Sequence, residues 1–149
     1  MTELPTPWPG YRAAPARLNL AAEVLDATID RGAESHTALV GAAGSITYES
    51  LHQRVNALAT SLIDLGLKRG DLALIKMGNS VEFAAAFLAA VKLGVIPVLV
   101  NSLLSAGELA SVVEQAHPRL IFTEAARADA VRELRRRGLQ AQVVCAHGA

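Results

Sequence analysis

The sequence has a single cysteine, Cys145. One thiol closes no internal disulfide and builds no thiolate metal cluster, so a reducing, cytoplasmic setting is the default. Within the apolar run Gln142–Cys145 it reads as a small core residue. Aromatic residues make up only 4% of the chain, too few for a platform on which bases stack. An excess of one charge is missing as well, since fourteen basic and fourteen acidic residues cancel. No global field draws the chain to nucleic acid or to a membrane surface. The histidines His36, His52, His117 and His147 are scattered, and no pair has metal-ligand spacing. No strand candidate is followed by the three glycines of a dinucleotide loop, and no Gly-x-x-x-x-Gly-Lys-Ser/Thr phosphate loop occurs. A Gly-x-Ser-x-Gly elbow is absent too. The first residues show neither the basic start nor the apolar core of a signal peptide. The one long apolar stretch, Phe83–Leu104, is split by Gly94 and Pro97 into a helix and a strand, so no membrane span is expected.

What is present is a core-forming chain. At 149 residues and 52% hydrophobic content it is one ordinary domain with little room for disorder. Residues 1–16 form an extended, proline-rich lead-in, and 17–149 form the folded unit. Leu20, Val24, Leu25 and Ile29 have helical spacing, closed by Gly32. Ala38–Val40 and Ser45–Thr47 flank a Gly41-Ala42-Ala43-Gly44 turn and read as a small hairpin. Thr47 caps a helix whose stripe is Leu51, Val55, Leu58, Leu62 and Leu65.

Gly70–Asn101 holds the clearest unit. Leu72–Lys76 is one strand, Asn79-Ser80 with Glu82 offers a capping box, and the helix stops at Gly94. Val95–Val100 follows as a second strand. This is the strand–helix–strand crossover of a parallel sheet, with both strands apolar on both faces. Ser105 with Glu108 has the spacing of another capping box, and His117-Pro118 stops that helix. Leu120–Phe122 is a third strand, Thr123 caps a helix ending at Gly138, and Gln142–Cys145 is a fourth strand. Repeated alternation predicts an α/β domain with a mostly parallel sheet flanked by helices.

Ligands of open parallel sheets bind at the carboxyl ends of strands. Those ends carry Lys76–Ser80, Asn101-Ser102 and Thr123-Glu124. Asn79, Ser105 and Thr123 are explained as caps, and Lys76 as a solvated strand end. Asn101 keeps a modest claim as a binding residue. Arg135-Arg136-Arg137 fits favourable placement of cations at a helix C-terminus better than a phosphate patch.

These residues also resemble a family. Arg17-Leu18-Asn19 precedes the first helix as in aryl-CoA ligases of the benzoate and 2-aminobenzoate type. Ile46–Leu51 resembles the Thr-Tyr-x-Glu-Leu stretch of AMP-forming acyl-CoA synthetases, the adenylate-forming ligases, and Val55–Ala59 continues it. Leu65-Gly66-Leu67 with Gly70-Asp71, Asn79–Phe83, Lys92–Pro97 with Asn101, and Ser105–Leu109 with Pro118 follow in the family's order. The resemblance implies the flavodoxin-like N-terminal subdomain of such a ligase. It implies a two-step reaction in which acid and ATP give an acyl-adenylate and pyrophosphate, and coenzyme A then displaces AMP. ATP, Mg2+ and coenzyme A are the family's cofactors; none is expected for this stretch alone.

The family's phosphate loop, its adenine- and ribose-holding motifs and its C-terminal lysine domain have no counterpart in these residues. No catalytic residue is carried over. The basic residue that some relatives place after the Asn101 position is also missing, the chain having Ser102, Leu103 and Leu104. The expectation is an N-terminal fragment or truncated form of an acid–CoA ligase, inactive alone. A non-catalytic module that self-associates or docks to a complementing ligase fragment is the alternative. An unrelated small α/β domain that binds a nucleotide at its strand ends is a third reading.

Overall fold

The computed structural model describes residues 18–41 and 44–146. The expected lead-in, Arg17, the tip of the hairpin turn at 42–43 and His147 lie outside these residues.

Asn19 joins two helices. Its Oδ1 accepts from the Ala21 and Ala22 N–H groups, while its Nδ2 donates to the carbonyls of Val91 and Lys92. A π-helical turn, Ala22–Asp26, runs directly into helix α1, Ala27–Asp30. The hairpin follows as β1, Thr37–Gly41, antiparallel to β2, Gly44–Thr47. Helix α2, Tyr48–Asp64, is capped by Thr47, whose side chain accepts from the Ser50 N–H. It buries Leu51, Val55, Ala59 and Leu62. Leu65, expected on this stripe, lies past the helix end and is exposed; Leu67 takes the core position.

Four parallel strands follow: β3, Leu72–Lys76; β4, Ile96–Leu99; β5, Leu120–Glu124; and β6, Gln142–Ala146. Their order is β4-β3-β5-β6. Helix α3, Val81–Leu93, connects β3 to β4; α4, Ala106–Ala116, connects β4 to β5; α5, Asp129–Arg136, connects β5 to β6. Each strand sends alternate side chains to opposite faces. Ala73, Ile75, Leu120 and Phe122 pack with α2 and α3, while Leu74 and Ile121 pack with Leu109, Val131 and Leu134 from α4 and α5. The two apolar layers account for the unbroken hydrophobic runs in β3 and β5, whereas Ile96 and Leu99 of the outer strand β4 stay half exposed. Phe83–Leu104 is divided between α3 and β4, and no helix among the described residues is long and apolar enough to cross a membrane.

Three expected caps stand differently. Ser105 and Glu108 form the full capping box on α4: the Glu108 N–H donates to the Ser105 hydroxyl, and the Ser105 N–H to the carboxylate. On α3 the capping residue is Ser80, which accepts from the Phe83 N–H. Asn79 is exposed outside the helix, and Glu82 reaches Arg54 on α2 instead of closing a box. Thr123 caps nothing. Strand β5 runs two residues further than expected, and a 3-10 turn, Ala125–Arg127, separates it from α5, whose N-terminus has no side-chain cap.

The two edges of the sheet differ. Ile96 and Val100 donate their N–H groups to β3, at Asp71 and Ile75. Alternation therefore turns the Pro97 nitrogen outward, where its missing hydrogen blunts the edge. On the other side Gln142 donates to Arg119, which turns the N–H groups of Val143 and Cys145 outward with no proline to guard them. The Cys145 side chain is exposed rather than part of the core.

Candidate functional site

The chain reverses direction across the sheet between β3 and β5. From β3 it passes to β4 on one side, and from β4 it crosses back over β3 to β5. The loops after β3 and β5 thus leave in opposite directions and open a crevice at the carboxyl ends, the place where such sheets bind ligands. A recess of about 400 Å3 lies there, lined by Met77, Gly78, Asn79, Phe83, Leu99–Ser102 and Arg127.

Glu124 sits between the two loops. Its Oε1 accepts from the Gly78 N–H at 3.1 Å and from Arg127 Nε at 2.8 Å. A side chain at position 78 would meet that carboxylate, since an added Cβ would lie 3.2 Å from Oε1. Glycine therefore permits the close approach of the two loops.

Lys76 is not a solvated strand end. It is 2% exposed, and its ammonium donates to the Ser102 carbonyl at 2.6 Å and to the Arg127 carbonyl at 3.1 Å. Burial pushes its pKa down, the Arg127 charge pushes further, and Glu124 and Asp129 oppose them. Thr123 stands opposite Lys76 in the β3–β5 register, and its buried hydroxyl has no hydrogen-bond partner among the described residues. Strand-end position pointed to Lys76 in the sequence; its burial was hidden, because the covering carbonyls are 26 and 51 residues away.

Asn101 lines the recess but is occupied with its own turn. Its Oδ1 accepts from the Leu103 N–H at 2.9 Å, and its carbonyl accepts from the Leu104 N–H. Ser105, on the next turn, is fully used in its capping box. Two residues of the arginine run are likewise committed locally. Arg136 and Arg137 both pair with Glu133, and Arg136 first, then Arg137, hold its carboxyl below the usual range.

A second polar cluster was missed in the sequence. Asp26, in the π-helical turn, accepts from Lys92 Nζ at 2.7 Å and lies 3.0 Å from His52 Nε2. Three separate helices supply these groups, so sequence spacing carried no signal. The cluster is partly exposed and outside the recess. A larger groove, about 770 Å3, runs between the C-terminal ends of α4 and α5, beside Val113, His117, Arg119 and Leu139. It lies at the amino ends of the strands, opposite the crevice.

The described residues fit the family's cofactors poorly. No group of three His, Cys, Asp or Glu side chains among them could hold a metal ion. The turn after β3, Met77–Ser80, offers one glycine and no free lysine to a triphosphate. No chemical step through ATP, Mg2+ or coenzyme A is therefore assigned to these residues.

The family model for AMP-binding enzymes matches residues 25–148. The chain belongs to that family. Among AMP-binding relatives, the 3-hydroxybenzoate–CoA ligase of Aromatoleum sp. (strain CIB) is 32% identical over 108 residues, covering 72% of this chain and 21% of the relative. The benzoate–CoA ligase of Thauera aromatica is 35% identical over 92 residues, covering 61% of this chain and 18% of the relative. The solved benzoate CoA ligase from Burkholderia xenovorans LB400 superposes with a TM-score of 0.80 at 26% identity, over 87% of this chain and 26% of that one. The chain thus spans about a fifth of the length of the curated relatives it matches. The α/β sheet and hairpin expected from the sequence are those of this family's N-terminal region, and the reading as an unrelated α/β domain is set aside.

Proposed function

We propose that this chain is the N-terminal α/β subdomain of an acid–CoA ligase acting on a benzoate-type carboxylic acid. The overall reaction joins the acid to coenzyme A with conversion of ATP to AMP and pyrophosphate. One observation carries the reading: the model for AMP-binding enzymes matches one continuous α/β unit over residues 25–148. Its similarity to hydroxybenzoate– and benzoate–CoA ligases supports the aromatic class. The unit, taken as residues 17–149 after a lead-in of 1–16, acts as scaffold within a cytoplasmic enzyme. The 149-residue chain makes no acyl-adenylate by itself, because it contains no phosphate loop.

Two experiments test this. Purified chain is assayed for ATP–pyrophosphate exchange with benzoate and its hydroxylated and aminated analogues; robust exchange would refute the scaffold reading. In the second, the chain replaces the matching segment of a benzoate–CoA ligase. Thioester formation by the chimera supports the family role, and a soluble, folded but inactive chimera speaks against it.

A second reading, docking to a complementing ligase fragment or to another copy, draws on one feature. Ile96, Leu99 and Leu103 are each at least half exposed along β4 and the turn beyond it. Such surface is suited to burial against further polypeptide. Light scattering decides between the two: a clean monomer that binds no hydrophobic dye excludes self-association.

A further inference from the structure

We propose that Lys76 is a buried clamp that sets the shape of the strand-end recess, rather than a contributor to the stability of the fold. Its ammonium is held by two backbone carbonyls and has no carboxylate within salt-bridge distance among the described residues. A buried cation compensated only by neutral carbonyls is costly to desolvate, and that cost offsets much of what its two hydrogen bonds contribute to stability. The benefit therefore lies elsewhere.

The two carbonyls show where. Ser102 belongs to the turn between β4 and α4, and Arg127 to the 3-10 turn between β5 and α5. Both residues line the recess, and the loops they belong to share no sequence proximity. Leu103 and Leu104 bond within the first turn, and Ala128 to Ala125 within the second, so each loop is internally ordered. Lys76 ties the two together from beneath. Its partner in register, Thr123, has a buried hydroxyl with no hydrogen-bond partner among the described residues, so of this cross-strand pair only Lys76 bonds to the loops through its side chain. The clamp holds whatever ligand the whole protein takes, so it stands apart from the acid–CoA ligase reading.

Hydrogen exchange and thermal unfolding on the purified chain test the clamp. Lys76→Met is expected to change the melting temperature only slightly, removal of the buried charge offsetting the two carbonyl bonds lost, while amides of 102–104 and 127–128 exchange about tenfold faster, as loss of hydrogen bonds to a charged donor implies. Exchange in α2 and β6 should not change. Uniformly faster exchange with a large fall in melting temperature would make Lys76 an ordinary core residue and overturn the proposal, as would unchanged loops. A measurement on the unaltered chain covers a variant that does not fold. The Lys76 ammonium resonance should be slow to exchange with water and coupled to the carbonyl carbons of Ser102 and Arg127; a fast-exchanging, uncoupled resonance would refute the clamp.

Discussion

Lys92 Nζ donates to Asp26 Oδ1 at 2.7 Å and so fastens the C-terminal end of α3 to a π-helical turn 66 residues earlier. The pair sits beside the contact that Asn19 makes with the Val91 and Lys92 carbonyls. Together they hold the first helical segment against the domain.

Acid should loosen this join. Burial alone would raise the Asp26 carboxyl, but the hydrogen bond and charge of Lys92, with help from His52, outweigh it and hold the pKa below the usual carboxylate range. The folded state thus keeps Asp26 ionised to lower pH than the unfolded chain does. Its contribution is present above the unfolded pKa and lost as pH falls through the folded one. Asp26→Asn should remove that acid limb and cost about 1 kcal/mol near neutrality, a figure discounted for the partial exposure of both groups. Urea unfolding as a function of pH reads it. A double-mutant cycle with Lys92→Met should show coupling, and strict additivity would deny the pair any role.

Alkali should act in the other direction. Lys76 in the folded state releases its proton below the ordinary lysine value, whereas the unfolded chain keeps it. Between the two values the unfolded state binds more protons, so stability rises with pH across that window. Lys76→Met should abolish this rise. Parallel alkaline slopes for the two proteins would show that burial does not perturb the lysine.

Thr123→Val should stabilise the chain. The substitution replaces a buried hydroxyl that lacks a partner with a methyl group of similar size. Leaving such a group unsatisfied costs about 1–3 kcal/mol, so a higher midpoint in urea is expected. A lower midpoint would mean that an internal water serves the hydroxyl.

The caps separate two adjacent residues. Ser80→Ala should cost about 1 kcal/mol through loss of the bond from the Phe83 N–H, while Asn79→Ala should change little because Asn79 is exposed and caps nothing. Equal effects would return the cap to Asn79. This pair also shows where sequence reasoning stops. Asn79-Ser80 marked the start of α3 to within one residue, and Ser105 with Glu108 marked α4 fully, because capping is local chemistry. The central strands β3 and β5 were legible from apolar runs that two helix layers bury. What was not legible depends on distant chain. Lys76 is covered by Ser102 and Arg127, Asp26 meets His52 and Lys92 through three helices, and Cys145 lies exposed on the outer strand β6. Thr123 had cap-forming chemistry, but continuation of β5 to Glu124 took it into the sheet.

Proline scanning of β6 tests the register that underlies these assignments. Gln142 donates to Arg119, so Val144 is turned toward β5 and Val143 outward. Val144→Pro removes a ladder bond inside the sheet and should be strongly destabilising. Val143→Pro removes a donor that faces away from β5 and should be far milder, as Pro97 is on the opposite edge. The comparison also probes the docking reading. If another strand adds to β6, Val143→Pro should abolish association while leaving the melting temperature of the monomer close to that of the unaltered chain. If association persists in Val143→Pro, the apolar surface along Ile96, Leu99 and Leu103 becomes the interface to mutate. Reversal of the order, with Val143→Pro the more damaging, would place β6 one residue out of register and turn every one of its side chains to the other face.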